Sequence, residues 1–419
     1  MVLVALLALA ALLLVGCGSK EPAQTGGGGG GQTKTAIIGF TASKTGELNV
    51  ESDRQTNGLN LWIKQVNEAG GVTLADGTKV TFESKSYDDE SNKDRVQELY
   101  TRLATQDKAD FLISPYSSGL ADAAAVIAEQ NGKVMITTGA ADDATYQKGY
   151  TLVYQLYTPA SRYLTGAIDL LGSMSADLKK IAFVYENDKF STSVVQAARA
   201  YAKEKGYEEV LFEGYESGTT DFGPFINKIQ AAKPDAILGG GHFQDGSTLA
   251  RQMGEKRVNA KFVALLVAPP EPSFAEIGDA ALGVIGPSQW EPNAKYSEAT
   301  AGDAEWVGPA IKEFVQAYKN AYGEEPSYHS AGGYTAGLIL QKAIETAGTL
   351  DTDKVKEALD AANLMTFYGP VKFDTSEESH GLQSGHQMVY VQWQDKGGTL
   401  IKQIIWPDAA KTAKPLSIQ

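Results

Sequence analysis

The side chains best placed for chemistry are the pair Ser117-Ser118 behind Pro115-Tyr116, the threonine of Thr137-Thr138-Gly139-Ala140-Ala141, and four histidines, His242, His329, His380 and His386. A serine pair at a strand-to-helix turn offers hydroxyls and backbone N–H groups at a helix N-terminus, a fixed set of donors for a carboxylate or amide oxygen. Taken alone, the pair reads first as helix capping before Ala121-Asp122. The histidines show no His-Glu-x-x-His spacing, and no Gly-x-Ser-x-Gly elbow occurs. Gly39-Phe40-Thr41-Ala42-Ser43-Lys44-Thr45 follows a strand but is one residue short of a phosphate loop and has Ser43 in place of its second glycine. Asp88-Asp89 and Asp142-Asp143 stand at expected helix starts and read as caps. These patterns therefore predict no enzyme, no cofactor and no metal centre.

These residues fall at the ends of alternating elements. Ala36–Phe40 is a strand, and Leu59, Trp62, Ile63 and Val66 form one face of a helix stopped at Gly70-Gly71. Strands at Lys79–Tyr87, Asp110–Ser114 and Val134–Thr137 alternate with helices around Val96–Leu103 and over Leu120–Gln130. A second run begins after Leu152–Tyr157, with strands at Ile181–Tyr185, Val210–Glu213, Ala236–Leu238 and Phe262–Val267 between helices. Repeated βαβ units of this kind build parallel sheets, and two runs predict two α/β lobes. After Trp290 the pattern turns helical, with Ile311, Phe314, Val315 and Tyr318 on one face and a long helix over Ala331–Ala347, before strands at Val371–Phe373 and Met388–Trp393.

A hydrophobic content of 43% with 21% charged residues suits a globular chain with a real core. The formal charge of −14, with no Lys/Arg cluster, argues against a nucleic-acid or anionic-lipid surface. The single cysteine, Cys17, excludes an internal disulfide. It closes Leu14-Val15-Gly16-Cys17 after an apolar stretch, Val2–Val15, that is too short to span a hydrocarbon core of roughly 20 residues. That ending resembles the lipobox of bacterial lipoproteins. It implies a signal peptide over residues 1–16, acylation of Cys17, and a flexible tether over 17–34 that includes six glycines, Gly26–Gly31.

Pro115-Tyr116-Ser117-Ser118-Gly119, then Thr137-Thr138-Gly139-Ala140-Ala141, resemble the type I periplasmic binding proteins of the branched-chain amino acid and amide group. Tyr87-Asp88-Asp89, Thr105-Gln106-Asp107-Lys108, Phe183-Val184-Tyr185-Glu186-Asn187-Asp188 and Gly369-Pro370-Val371-Lys372-Phe373-Asp374 agree, so the likeness runs from Thr35 to Pro407. It implies an α/β fold of two Rossmann-like lobes with parallel sheets, joined by three hinge crossings near Gln155–Thr158, Pro287–Glu291 and Phe367–Pro370. Lobe one would hold 35–156 plus 291–366, and lobe two 157–290 plus 367–419. The ligand would lie between them at the carboxyl ends of the strands.

The resemblance implies ligand roles for Tyr116, Ser117, Ser118, Thr138, Ala140, Ala141, Phe190 and His242, with Trp290, Tyr328 and His329 as cleft or hinge residues. It also implies an extracytoplasmic, membrane-anchored monomer that takes a small polar solute to the permease subunits of an ABC importer. A ligand-sensing module on the same fold is the alternative. One departure bears on the ligand. After Leu265-Leu266-Val267 such relatives carry an acid for an ammonium group, whereas this chain has Ala268-Pro269-Pro270-Glu271-Pro272. Glu271 is in register only across a gap, so the expected ligands extend from amino acids to amides and urea-like molecules.

Overall fold

A computed structural model describes residues 32–416; the signal segment, Cys17 and most of the tether lie outside them. In the first half, β1 (Thr33–Ala42), β2 (Val72–Thr73), β3 (Lys79–Asp88), β4 (Phe111–Ile113), β5 (Met135–Thr137) and β6 (Val153–Gln155) form one sheet in the order β2-β3-β1-β4-β5-β6. Helices α1 (Asn49–Glu68), α2 (Lys93–Thr105) and α3 (Ser118–Gln130) connect them. The second run is β7 (Lys180–Glu186), β8 (Glu208–Tyr215), β9 (Ala236–Gly240), β10 (Phe262–Leu265) and β11 (Ile285–Ser288), with α4 (Thr165–Met174), α5 (Lys189–Glu204), α6 (Gly223–Ala232) and α7 (Phe243–Glu255).

The chain then returns to the first lobe. α8 (Ile311–Tyr322), α9 (Tyr328–Ala347) and α10 (Thr352–Asp360) accompany a small sheet of β12 (Glu305–Val307), β13 (Asn363–Thr366) and β14 (Gly369–Lys372). Finally β15 (Val389–Asp395) and β16 (Leu400–Trp406) complete the second sheet, ordered β16-β15-β11-β10-β9-β7-β8.

The two-lobed α/β expectation holds, but the sheets are mixed and not wholly parallel. β2 runs antiparallel to β3, and β15 runs antiparallel to both of its neighbours, β11 and β16. For β15 and β16 the cause is the short turn after Asp395, where Gly397 and Gly398 adopt positive φ; a connection that short can join only antiparallel strands. Phe367–Pro370, expected as a crossing, is the turn of the β13–β14 hairpin. Downstream of it Phe373 bridges Gln383, and the Gln155 amide at the end of β6 donates to the Gly381 carbonyl at 2.7 Å. The chain reaches the second sheet only at β15.

Helices α1 and α9 pack backbone to backbone. A Cβ on Gly58 would collide with the Ser330 carbonyl, one on Gly333 with the Gln55 carbonyl, and one on Gly337 with the Trp62 ring. Small residues three and four apart make the contact face, and this brings the α1 N-terminal turns against the start of α9. The Trp62 ring, 1% exposed, closes the far end of the contact against Phe82. Gly333→Ala is expected to lower unfolding free energy by about 1–3 kcal/mol through overpacking. Urea denaturation measures it, and an unchanged midpoint would contradict the close packing.

Candidate functional site

The first loop of the site follows β4. Ser117 takes φ 127° and ψ 170°, a backbone region nearly reserved for glycine, and its side chain makes no capping bond to α3. Such a conformation costs about 1–3 kcal/mol and persists only where neighbours enforce it. The neighbours here are hydrogen bonds to the second loop. The Ser114 hydroxyl donates to the Thr138 carbonyl (3.0 Å) and accepts from the Thr138 amide (3.1 Å), while Ser118 Oγ accepts from the amides of Ala141 (3.0 Å) and Asp142 (3.2 Å). The Ala141 carbonyl accepts from the Ala160 amide at 2.7 Å. Both backbone groups of Ala141 are thus used in holding the loop, unlike its expected part in binding a solute. Ala140 is buried beside it.

The lobes meet over these loops. Tyr116 Oη lies 2.8 Å from His242 Nδ1, and Glu51 in the first turn of α1 accepts from the Phe243 amide at the N-terminus of α7 (2.7 Å). His329 Nδ1 donates to Glu271 Oε1 at 2.6 Å, with both side chains fully buried. Lys189 pairs with Asp122 (3.0 Å) and Asp142 (3.1 Å). Glu271 therefore does reach the cleft. The turn Pro269-Pro270 after β10 is pinned by the Trp393 indole, which donates to the Pro269 carbonyl at 2.8 Å, and this carries Glu271 to the lobe junction.

Aromatic rings line the junction in a chain of contacts. Tyr163 meets Phe190 (centroids 5.1 Å apart), Phe190 meets His242 (5.8 Å), and Tyr116 meets both His242 (5.4 Å) and His329 (5.0 Å). Tyr157 then touches Tyr328 (5.8 Å), His329 (6.4 Å) and Tyr368 (6.1 Å). The circuit closes through the crossings: Tyr368 stacks on His386, His386 Nδ1 lies 2.9 Å from the Thr158 hydroxyl, and Gln289 links the Thr158 amide to the Tyr163 phenol.

Several buried polar atoms around this circuit have no hydrogen-bond partner among the described residues: Thr138 Oγ1, Tyr157 Oη, His329 Nε2, Gln55 Oε1, Glu51 Oε2 and Glu271 Oε2. Thr138 Oγ1 and Tyr157 both lie against the bare Cα of Gly332, and Gln55 Oε1 against that of Gly139. Unpaired groups of this kind are rare in native interiors, because each costs about 1–3 kcal/mol in desolvation. Tyr116, Ser117, Ser118, Thr138, Phe190, His242 and Tyr328 are brought together here. Trp290 is not: its indole donates to the Phe367 carbonyl at 2.9 Å, and its ring packs edge-on against Phe314 and Phe367 within the crossing. The residues missed by sequence reasoning are Glu51, Arg54, Gln55 and Tyr157. Glu51 carried a signal, an acid in a first helical turn, that also reads as a dipole partner.

Burial tends to discharge every acid here, and cationic partners decide which ones resist. Burial raises Glu51, which the charges of His242 and His329 only partly offset. Glu271 is held below the ordinary range despite burial, by its bond to His329 and the nearby charges of His329 and Arg54. Asp188 is likewise lowered by His242 in spite of burial. His242 itself is pushed up to about 10: burial opposes its charge, but the bond to Asp188 and the charges of Asp188, Glu186 and Glu51 outweigh it. Burial also holds the phenols of Tyr116, Tyr157, Tyr328 and Tyr368 well above their usual value, so they serve as neutral donors. Glu186, Asp188 and His242 form the one group of side chains among the described residues spaced to hold a metal ion. Asp89, expected as a helix cap, instead accepts from the hydroxyls of Thr41 and Ser43 (both 2.6 Å), and Asn92 caps α2.

Two α/β lobes closing polar and aromatic side chains between the strand ends define a cleft-binding protein of the hinged kind. The sequence model of the periplasmic binding protein family matches residues 35–399, and the chain belongs to that family. It is 26% identical over 382 residues to the Leu/Ile/Val-binding protein homolog 7 of Brucella melitensis, covering 87% of this chain and 90% of that one. It is also 26% identical over 369 residues to the leucine-, isoleucine-, valine-, threonine- and alanine-binding protein of Pseudomonas aeruginosa (88% and 92% covered). Among solved structures, the branched-chain amino acid substrate-binding protein LivJ of Streptococcus pneumoniae, in complex with isoleucine, superposes with a TM-score of 0.73 at 21% identity, over 89% of this chain and 100% of that one. A solute-binding protein of R. palustris in complex with 4-hydroxybenzoate gives 0.75 at 18% identity, over 91% and 98%. No helix among the described residues is long and apolar enough to cross a membrane.

The crossing histidine generates a pH prediction. Burial first, and then the charge of Arg162, lower His386 to about 4, against the bond to the Tyr368 carbonyl. A histidine depressed in the folded state contributes stability above its unfolded value of about 6.5 and loses it as pH falls toward 4. Unfolding free energy should fall by up to about 1.4 kcal/mol per pH unit more in the wild type than in His386→Gln between pH 6 and 4.5. Urea melts at each pH measure it, and parallel curves would contradict the assignment.

Proposed function

We propose that this protein is the extracytoplasmic solute receptor of an ABC importer, held at the membrane by acylated Cys17. It captures a small amino acid between its lobes and delivers it to a permease. The observation that carries the reading is the coexistence of two kinds of unpartnered buried atom at one junction. Thr138 Oγ1 and Tyr157 Oη are donors suited to a carboxylate, and Glu51 Oε2 and Glu271 Oε2 are acceptors suited to an ammonium group. A zwitterion would satisfy both sets at once, giving Glu271 Oε2 a cation nearer than Arg54 Nε at 3.9 Å, whereas an uncharged amide would bring these carboxylates no charge. Supporting it, two similar curated proteins are named for binding aliphatic amino acids. The aromatic circuit supplies apolar walls for a side chain. Ser117 and its strained turn would add a hydroxyl at the carboxylate end.

Closure would join residues of α1, α3 and α9 from one lobe to α5, α7 and Glu271 of the other, so solute binding and lobe closure should be one event. A panel of amino acids, amides, urea and hydroxybenzoates should yield at least one ligand that raises stability by about 2.7 kcal/mol at a hundredfold excess over Kd. Differential scanning fluorimetry reads this, and silence across the whole panel would overturn the proposal. For an amino-acid ligand, Glu271→Gln should weaken binding about tenfold or more, the loss of one charge-assisted bond. Thr138→Ala should weaken it by a smaller factor in isothermal titration. An unchanged Kd for Glu271→Gln would remove the ammonium from the reading.

A further inference from the structure

At the rim of the cleft, wholly within the second lobe, Glu186 at the end of β7, Asp188 at the N-cap of α5 and His242 at the N-cap of α7 turn toward one another. One ligand-type atom from each lies within 4.8 Å of the other two. Asp188 Oδ2 and His242 Nε2 are 3.3 Å apart. Glu186 spends Oε1 on the Ser217 hydroxyl at 2.5 Å, while its other oxygen, on a side chain 4% exposed, is buried with no partner among the described residues. A third acid, Asp245, flanks them: it accepts from the His242 amide at 2.7 Å and from the Tyr215 phenol, and it crowds Glu186 over Gly241, where a Cβ would strike both carboxylates. A pocket of about 100 Å³, lined by Glu47, Glu186, Thr219, His242, Gln244 and Asp245, borders the group.

We propose that Glu186, Asp188 and His242 bind a divalent transition-metal cation, Zn²⁺ first among them. Carboxylate and imidazole donors match its preferences. Each protein ligand already has the outer support such sites use. Asp188 is fixed by the amides of Phe190 and Ser191, Glu186 by Ser217, and His242 directs Nδ1 at Tyr116 Oη, so that Nε2 is the nitrogen presented to the group. The groups facing His242 are Glu51 from α1, Tyr116 before α3, Glu186, Asp188 and Asp245; four of these five are acids, so the surroundings favour a divalent ion in place of the proton that Nε2 releases to solvent on binding it. Because Tyr116 belongs to the other lobe, a metal that fixes the imidazole also fixes its interlobe bond. The site shares the His242 ring with the aromatic wall of the proposed solute cleft, but Glu271, Thr138 and Tyr157, which carry the solute reading, take no part in it.

The test is isothermal titration of chelator-treated full-length protein with Zn²⁺ alone, no solute present. One equivalent per chain with a Kd in the micromolar range or tighter is expected. Glu186→Gln, nearly isosteric, should weaken it at least tenfold, while Glu98→Gln, an equal change of charge on the exposed face of α2, should not. A Zn²⁺-dependent rise in melting temperature should accompany binding in the wild type and vanish in Glu186→Gln. Wild-type protein with no binding below 1 mM, or Glu186→Gln binding as tightly as wild type, would overturn the proposal. Solute affinity measured in chelator separates this result from failure of the receptor reading.

Discussion

The direct contact of the α1 and α9 backbones is the constraint on which the binding region depends. Gly58, Gly333 and Gly337 let two helices from distant parts of the chain approach without side chains between them. As a result Glu51, Arg54 and Gln55 on one helix and Tyr328, His329 and Gly332 on the other share one end of the lobe. Interdigitating side chains would set helix axes about 8–10 Å apart. The closer approach brings together the unpaired polar atoms of Glu51, Gln55 and His329 at the two helix starts.

The junction between the lobes is polar to a degree that would be costly in an ordinary core. Glu51, Glu271, His242 and His329 are all withdrawn from water, and each is tied to a group on the opposite lobe. Pairing of this kind offsets desolvation without adding much net stability, and its chief consequence is geometric: only one register of the two lobes satisfies it. The tyrosines complete that arrangement, since burial keeps them neutral and leaves their hydroxyls as donors beside the charged pairs.

The lobes and most of their elements were legible in the sequence, because βαβ alternation depends on local periodicity. α10 and the strands β2, β11, β12, β13 and β16 were not: β2, β11, β12 and β13 are four residues or fewer, and β11 and β12 lie beside strands far along the chain, β15 and β13. The same limit governed the site. Ser117, Ser118 and Thr138 stood out in the sequence because they sit in compact loop motifs, and Phe190 and His242 through the family likeness at the loops that follow two strands. Glu51 and Gln55 looked like ordinary surface positions of an amphipathic helix, since only the packing of α9 buries them. Glu271 was obscured by two prolines, and Trp290 was over-read because an aromatic beside a crossing can face either the cleft or the hinge. The grouping of Glu186, Asp188 and His242 spans 54 residues between its nearest members across the loop, Asp188 and His242, and no motif encodes it.

The short strap that lies along β6 has a consequence for how the molecule is made. Until Gly381 is in place, Gln155 ends an open edge strand, whose unpaired backbone is a template for association with other chains. The first lobe therefore cannot be sealed by its own N-terminal portion as it emerges. It waits for a segment that arrives after the other lobe's parallel strands have been synthesised, so completion of the two lobes is interleaved, with the slow, long-range closure expected of distant contacts.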